Sequence, residues 1–353
     1  MTHRFWSART PLAAVLVVAA FACSDVGVVE PLSPPLAQRI RGEDRISFEG
    51  APYPIGSALA VRIFTLNADG SDLTAISLDP GFSHVQHAWS PDGKTVAFVR
   101  YGASSDVYVM RADGSHLRRV TSMGHAWSPV WSPDGKWIAF LNRGPGVAEL
   151  YVVRANGNGL RRLLAVPADS YTGDGPDWSP DGTRIAINMD DGAGYDIWVV
   201  AADGSEARNV TARPGWDYSP LWSPDGRRIL FQSDRVPGGG YHIMQADGSG
   251  TRFLVSGLAS SDNASWSPDG SRIVYPGYGF RDLYTLEVDS GSLRRLTRVS
   301  GGYNYPRWSP DGTRVVGVGE EGIFVVNADG SAMRWLTTAP YFILTRPRWI
   351  PDR

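Results

Sequence analysis

The chain has 353 residues, 42% of them hydrophobic and 20% charged, with 40 glycines, 25 prolines and a formal net charge of −2. That balance fits a globular body rich in turns, and it argues against long uninterrupted helices and against the basic surface of a nucleic-acid-binding protein. A single cysteine leaves no disulfide framework.

Residues 1–22 differ in character from the rest of the chain. Arg4 and Arg9 precede PLAAVLVVAAFA, a run of small and apolar residues with the layout of a secretory signal. It falls short of the ~20 apolar residues that a membrane span needs, so export rather than membrane insertion is expected. Cys23 stands directly after Ala20-Phe21-Ala22. This placement resembles the lipobox of bacterial lipoproteins, with Phe21 where a small residue is usual, and the resemblance implies a lipid-modified Cys23. Ser24 next to it resembles the pattern sent to the outer membrane. Residues 23–44 then read as the lipidated cysteine and a tether, proline-bearing and without a period, rising ~3.1 Å per residue where it is polyproline-like.

From residue 45 onward the chain repeats. WSPDG occurs at Trp89, Trp131, Trp178, Trp222, Trp266 and Trp308, and a decayed copy begins at Trp349; the spacings are 42, 47, 44, 44, 42 and 41 residues. Between copies lie short runs such as KWIAFLN, ELYVVRA and LRRLL, β-branched and aromatic-rich and bounded by turn residues, which is the signature of strands. About four such strands per unit make a propeller blade. Ser-Pro-Asp-Gly is a turn in which proline presets φ, aspartate bonds nearby backbone and glycine takes the left-handed conformation. A second turn, Ala-Asp-Gly-Ser, recurs at 68–71, 112–115, 202–205, 246–249 and 328–331, with degenerate versions at 155–158 and 288–291.

Seven second turns face only six intact first turns. Arg45–Gly50, Val61–Asn67 and Asp72–Ser77 supply the last three strands of a unit with no first strand before them, whereas Thr345–Ile350 supplies a first strand with nothing after it. The expected fold is therefore all-β: a seven-bladed propeller of four-stranded blades over residues 45–353, closed by pairing the C-terminal strand with the N-terminal three.

WSPDG followed by K/R-x-I-A-F, then D-I-Y-V-M, ADGS and L-R-R-L-T, resembles the PD40 repeat of TolB-like β-propellers over nearly all of residues 45–353. The resemblance implies the fold; propellers host many functions, so it implies little about activity. It departs from the family's namesake in having seven units rather than six and no α/β domain before the ring.

Seven of the thirteen tryptophans recur in phase, which assigns them to packing between blades rather than to a ligand platform. The arginine pairs at 118–119, 161–162 and 294–295 fall on outer strands, and removal of Arg4 and Arg9 leaves 32 basic against 36 acidic residues, so no nucleic-acid partner is expected. Both short turns lie at one end of each blade, and the connections that vary between units lie at the other, the expected binding face. Asp174, Asp177, Trp216, Asp217, Asp262, Asn263, Tyr303, Asn304, Tyr305, Arg307, Arg346 and Arg348 are expected near the channel mouth there.

No cofactor is expected on the main reading, which is a monomeric scaffold that binds an envelope protein or an extracellular ligand and meets the membrane only through its lipid anchor. The alternative is a divalent-metal saccharide lyase or hydrolase using His84, His87 and His125, since oligogalacturonate lyases are similar propellers with a histidine-rich metal site. A purely structural envelope protein is a further alternative. The G-x-S-x-G elbow found in relatives of prolyl oligopeptidase does not occur, nor does H-E-x-x-H or a phosphate-binding glycine-rich loop. No catalytic residue is therefore assigned.

Overall fold

The turn chemistry read from the sequence is present bond by bond. In the computed structural model, which describes residues 44–52, 60–79, 81–144, 146–167, 175–190, 194–212, 215–256, 264–277, 282–298, 302, 304–337 and 342–351, the serine of each intact first turn donates to the aspartate two residues on. Ser90 Oγ lies 2.6 Å from Asp92 Oδ1, and Gly93 N donates to Ser90 O at 2.9 Å. The glycine has φ between 64° and 70° at all six copies, the region that burdens any residue with a Cβ. Those serine bonds hold the carboxyls of Asp92, Asp134, Asp181, Asp225 and Asp269 below the ordinary value.

Among the described residues there are 28 strands in seven antiparallel four-stranded sheets. The first blade is composite. Its inner strand β28 (Phe342–Trp349) pairs with β1 (Arg45–Pro52), followed outward by β2 (Arg62–Asn67) and β3 (Thr74–Ala75). Blades two to seven are each continuous in sequence, with inner strands β4 (Ser83–Trp89), β8 (Ala126–Trp131), β12 (Asp177–Trp178), β16 (Asp217–Trp222), β20 (Ser265–Trp266) and β24 (Asn304–Trp308). The seven-bladed ring and its closure by the C-terminal strand are as expected. The expected signal at 1–22, Cys23 and most of the expected tether lie outside the described residues.

The motif tryptophans form the seams between blades. All but Trp131, which is half-buried, are at most 9% exposed. Trp131, Trp178, Trp266 and Trp349 donate their indole N–H to the inner-strand carbonyl of the preceding blade, at Ala88, Val130, Leu221 and Arg307, over 3.1–3.4 Å. In four blades an arginine two residues after the turn glycine lies over the next blade's tryptophan: Arg184 over Trp222, Arg228 over Trp266, Arg272 over Trp308 and Arg314 over Trp349, 4.7–5.6 Å from the ring centre. The arginine at that second position thus clamps an indole, whereas Lys94 and Lys136, directly after the turn glycine, pair with the turn aspartate.

A second device ties the third strand to the fourth. The threonine ending L-R-R-L-T accepts a backbone N–H from the third strand and donates to the aspartate that opens it, as Thr121 does with Val107 N and Asp106 and Thr297 with Leu283 N and Asp282. Arg119 and Arg295 pair with the same aspartates at 2.6 Å, while Arg118 and Arg161 reach backbone carbonyls of the next blade. Arg162 pairs with Glu149 at 2.9 Å, so both members of the pairs at 118–119 and 161–162 are engaged within the ring.

Closure depends on β28 and on polar contacts at both of its seams. Asp44 pairs with Arg314 of the seventh blade at 2.5 Å. Deleting residues 340–353 removes the inner strand and the seam indole of the first blade together. The expected outcome is a loss of stability well beyond the ~3–5 kcal/mol of a single buried tryptophan, seen in urea unfolding as a lower midpoint and a broken single transition. Unfolding identical to that of the full chain would show that the ring does not need its closing strand.

Candidate functional site

The inner strands are bent, and the bend sorts the candidate residues into two tiers. Three positions before the motif tryptophan, Gln86, Ser128, Ser219, Tyr305 and Arg346 have φ of 50–57°, and Gly175 has 106°. The strand register shifts at these points in five blades. A bulge of this kind leaves one residue unpaired and re-aims the side chains beyond it. Gln86 Oε1 accepts Ser128 N at 2.9 Å, joining two bulges across a seam. A Cβ on Gly175 would come within 2.5 Å of Ser128 Cβ, so no other residue fits there without displacement. The sequence signal for the bulge is the proline two positions before the tryptophan, at Pro129, Pro176, Pro220, Pro306 and Pro347.

Asp177, Arg307 and Arg348 stand one residue before their tryptophans, after the bulge and next to the short turns. They therefore sit at the turn end of the inner strands, away from the varied loops beside which they were expected. Asp177 Oδ2 accepts Trp222 N at 2.7 Å, and burial pushes its carboxyl up to about 7 against the pull of that bond and of the charges on Arg307 and Arg348. Asp177 belongs to the fourth blade, and Arg307 and Arg348 to the seventh and first. Arg307 also donates to Ala264 O at 3.2 Å and Pro306 O at 2.9 Å.

Before the bulge, toward the varied loops, the candidates separate by burial. Asp217 is fully buried and bonds Arg235, which also donates to Thr211 O at 2.7 Å, so this aspartate holds a loop in place and is closed to a ligand. Asn304 and Tyr305 are half-buried, and Tyr305 packs against the hydrophobic core of the closing blade. Trp216 is different: its indole is 51% exposed. Asp174, Asp262, Asn263 and Tyr303 lie outside the described residues.

The three histidines do not come together. His87 is fully buried in a chain of bonds: Trp89 Nε1 donates to Ser47 Oγ, Ser47 Oγ meets His87 Nε2, and His87 Nδ1 meets Glu49 Oε1, each at 2.8 Å. Both ring nitrogens are engaged in joining the first blade to the second. His84 is 2% exposed and packs on Phe98 at 4.8 Å between ring centres, with Asp79 4.0 Å from Nε2. His125 is exposed and bridges to Ser105, at the start of the third strand of the second blade. Among the described residues no group of three or more His, Cys, Asp or Glu side chains is arranged to hold a metal ion.

Burial pushes His84 down to about 4, against the pull of Asp79 and with the help of the charges on Arg100 and Arg62. Its folded pKa lies below the unfolded value of 6.5, so the unfolded chain takes up a proton that the folded chain refuses, and stability falls as pH drops from 6.5 toward 4. His84 alone contributes about 3 kcal/mol to that loss. His84→Phe should give a shallower decline when urea unfolding is repeated at stepped pH; an unchanged slope would mean that this imidazole is not the group resisting protonation.

No curated protein matches the chain, but solved structures do. TolB from Acinetobacter baumannii superposes with a TM-score of 0.54 at 17% identity, over 86% of this chain and 82% of that one. An oligogalacturonate lyase in complex with manganese gives 0.61 at 17% identity, over 83% and 85%. A puromycin hydrolase gives 0.66 at 18%, covering 83% of this chain and 52% of its own length. At such identities these likenesses establish the fold alone. The family model described as the TolB beta propeller domain, PD40, matches residues 60–173 and 165–279, most of the ring, and the chain is a member of that family.

Proposed function

We propose that the protein is an exported scaffold of the bacterial cell envelope, anchored by a lipid on Cys23, whose varied face binds an envelope protein or an extracellular ligand. The observation that carries this reading is the contrast between the two ends of the ring. One end repeats the same serine–aspartate turn six times, while the other differs from blade to blade and presents the half-exposed indole of Trp216.

The described chain enters the ring at its turn end, where Asp44 is bonded to Arg314 close to the seventh blade's Ser-Pro-Asp-Gly turn. The binding mechanism is rigid presentation, in which loops already fixed by their neighbours lose little conformational freedom on association.

The test is crosslinked capture from envelopes with the intact chain, a Trp216→Ala variant, and a turn-face control, Lys94→Glu, at a lysine that is 66% exposed. The expected result is one specific partner retained by the control and lost by Trp216→Ala, a residue whose truncation at a binding hot spot costs ~2 kcal/mol or more. Equal capture by all three chains would overturn the assignment of the varied face, and capture by none would remove the protein partner and leave the extracellular ligand. The mass of the mature amino terminus checks the anchor separately: a diacylated or triacylated Cys23 is expected, and an unmodified residue there overturns it.

A further inference from the structure

Trp216 is held in place more firmly than an exposed residue needs to be. It lies between β15 (Ala207–Asn209) and β16, where its N–H donates to Asp234 Oδ1 at 2.7 Å and its carbonyl accepts Asp234 N at 3.2 Å. Asp234 belongs to the next connection of the same blade, after β17 (Arg228–Ser233), so the two loops are pinned to each other. Glycines allow the fit. A Cβ on Gly194 would stand 3.0 Å from the indole Cδ1, and one on Gly215 would stand 2.7 Å from Arg235 Cγ, so both neighbours must lack a side chain.

The rings around Trp216 form a corner and not a stack. Tyr195 meets it edge-on, with centroids 5.8 Å apart and planes at 82°, and Tyr218 lies 6.5 Å from Tyr195 at 57°. Tyr195 is 5% exposed and forms the floor, Tyr218 is half-buried, and the indole is the open wall. Among the described residues the charge that faces solvent at this corner is negative. Asp234 is exposed, and its charge and that of Asp217 act, after burial, to raise the Tyr218 hydroxyl above its ordinary value. Among the described residues the cation at this corner is Arg235, which is 15% exposed and directed inward to Asp217 and Thr211 O. An electron-rich ring face beside a solvent-facing carboxylate attracts cations and gives an anion nothing to bind.

We infer that Trp216, Tyr218 and Asp234 form a receptor for an alkylammonium or guanidinium group, supplied by a lysine or arginine side chain of the partner or by a free quaternary ammonium compound. The inference rests on the varied face being the binding face, and it gives that face a ligand chemistry.

The experiment follows the Trp216 indole N–H resonance of the full chain, assigned by its disappearance in Trp216→Phe, while three probes are added: N-acetyl-lysine methylamide, its neutral counterpart N-acetyl-norleucine methylamide, and choline. Saturable shifts are expected with lysine or choline in the millimolar range and not with norleucine. Asp234→Asn keeps an oxygen for the Trp216 N–H and removes the charge, so it should weaken the response roughly threefold or more, the order expected for one exposed cation contact. A stronger response to the lysine compound assigns the receptor to a partner's side chain, and a stronger one to choline assigns it to a free quaternary ammonium. Equal shifts with norleucine, no shift with any probe, or full binding by Asp234→Asn would overturn the inference. Saturable binding of a cation when envelope capture fails removes the protein partner and leaves the receptor; the reverse result removes the receptor and leaves the partner.

Discussion

Every blade of this ring depends on an indole lodged in the seam behind it. A four-stranded sheet of short strands has too little apolar surface to stand alone, and packing against two neighbours is what gives each blade an interior. The tryptophan serves that seam in three ways. It fills volume, in four blades donates its N–H to a carbonyl across the joint, and in four offers a face on which an arginine of the preceding blade lies, with Trp266 and Trp349 doing both. Because the serine–aspartate turn comes immediately after the tryptophan, the same five residues fix both the end of a strand and the joint to the next blade.

The seam between the first and second blades departs from that scheme. There the indole of Trp89 bonds a side chain, Ser47 Oγ, and His87 occupies the position that most blades give to proline. Glu49 receives both the backbone N–H and the ring of His87. The bond order Ser47–His87–Glu49 is that of a hydrolytic triad, yet Ser47 and His87 have no exposed surface and the Ser47 hydroxyl is taken up by the seam indole. A buried network of this kind is costly to leave half-satisfied, so it holds β1 of the composite blade in one position against β4 of the second.

The fold was legible because its signals are local and repeated. Proline, aspartate and glycine at fixed offsets define a turn without reference to the rest of the chain, and counting two kinds of turn was enough to place the composite blade. The candidate site was legible only in part, for a physical reason. Alternation along a strand predicts which way a side chain points only while the register is unbroken, and the bulge at residues such as Ser219 and Tyr305 breaks it. Asp177, Arg307 and Arg348 therefore fall at the turn end of the channel, and Asp217, which reads as a loop acid, is buried against Arg235. The x-Pro-x-Trp spacing that marks the bulge was present in the sequence, but a proline in a strand has several meanings until the pairing is known.

The two tiers separate structure from recognition. After the bulge, the inner strands carry seam indoles and charged residues bonded to neighbouring backbone, as Asp177 is to Trp222 N and Arg307 to Ala264 O, so substitutions there act on the ring first. Before it, the chain is free to differ between blades, because the seam no longer depends on it. Trp216 shows how such a residue is made rigid without joining the core: Asp234 grips both its backbone groups, the Asp217–Arg235 pair anchors the next residue along the chain, and two glycines let the loops close on each other. The ordering entropy of the loop is met on folding, so an exposed indole here is a preorganised contact rather than a mobile apolar liability. A large ring with a monotonous turn face is a suitable scaffold for this because the strain of a tight loop in one blade is borne by seams on both sides.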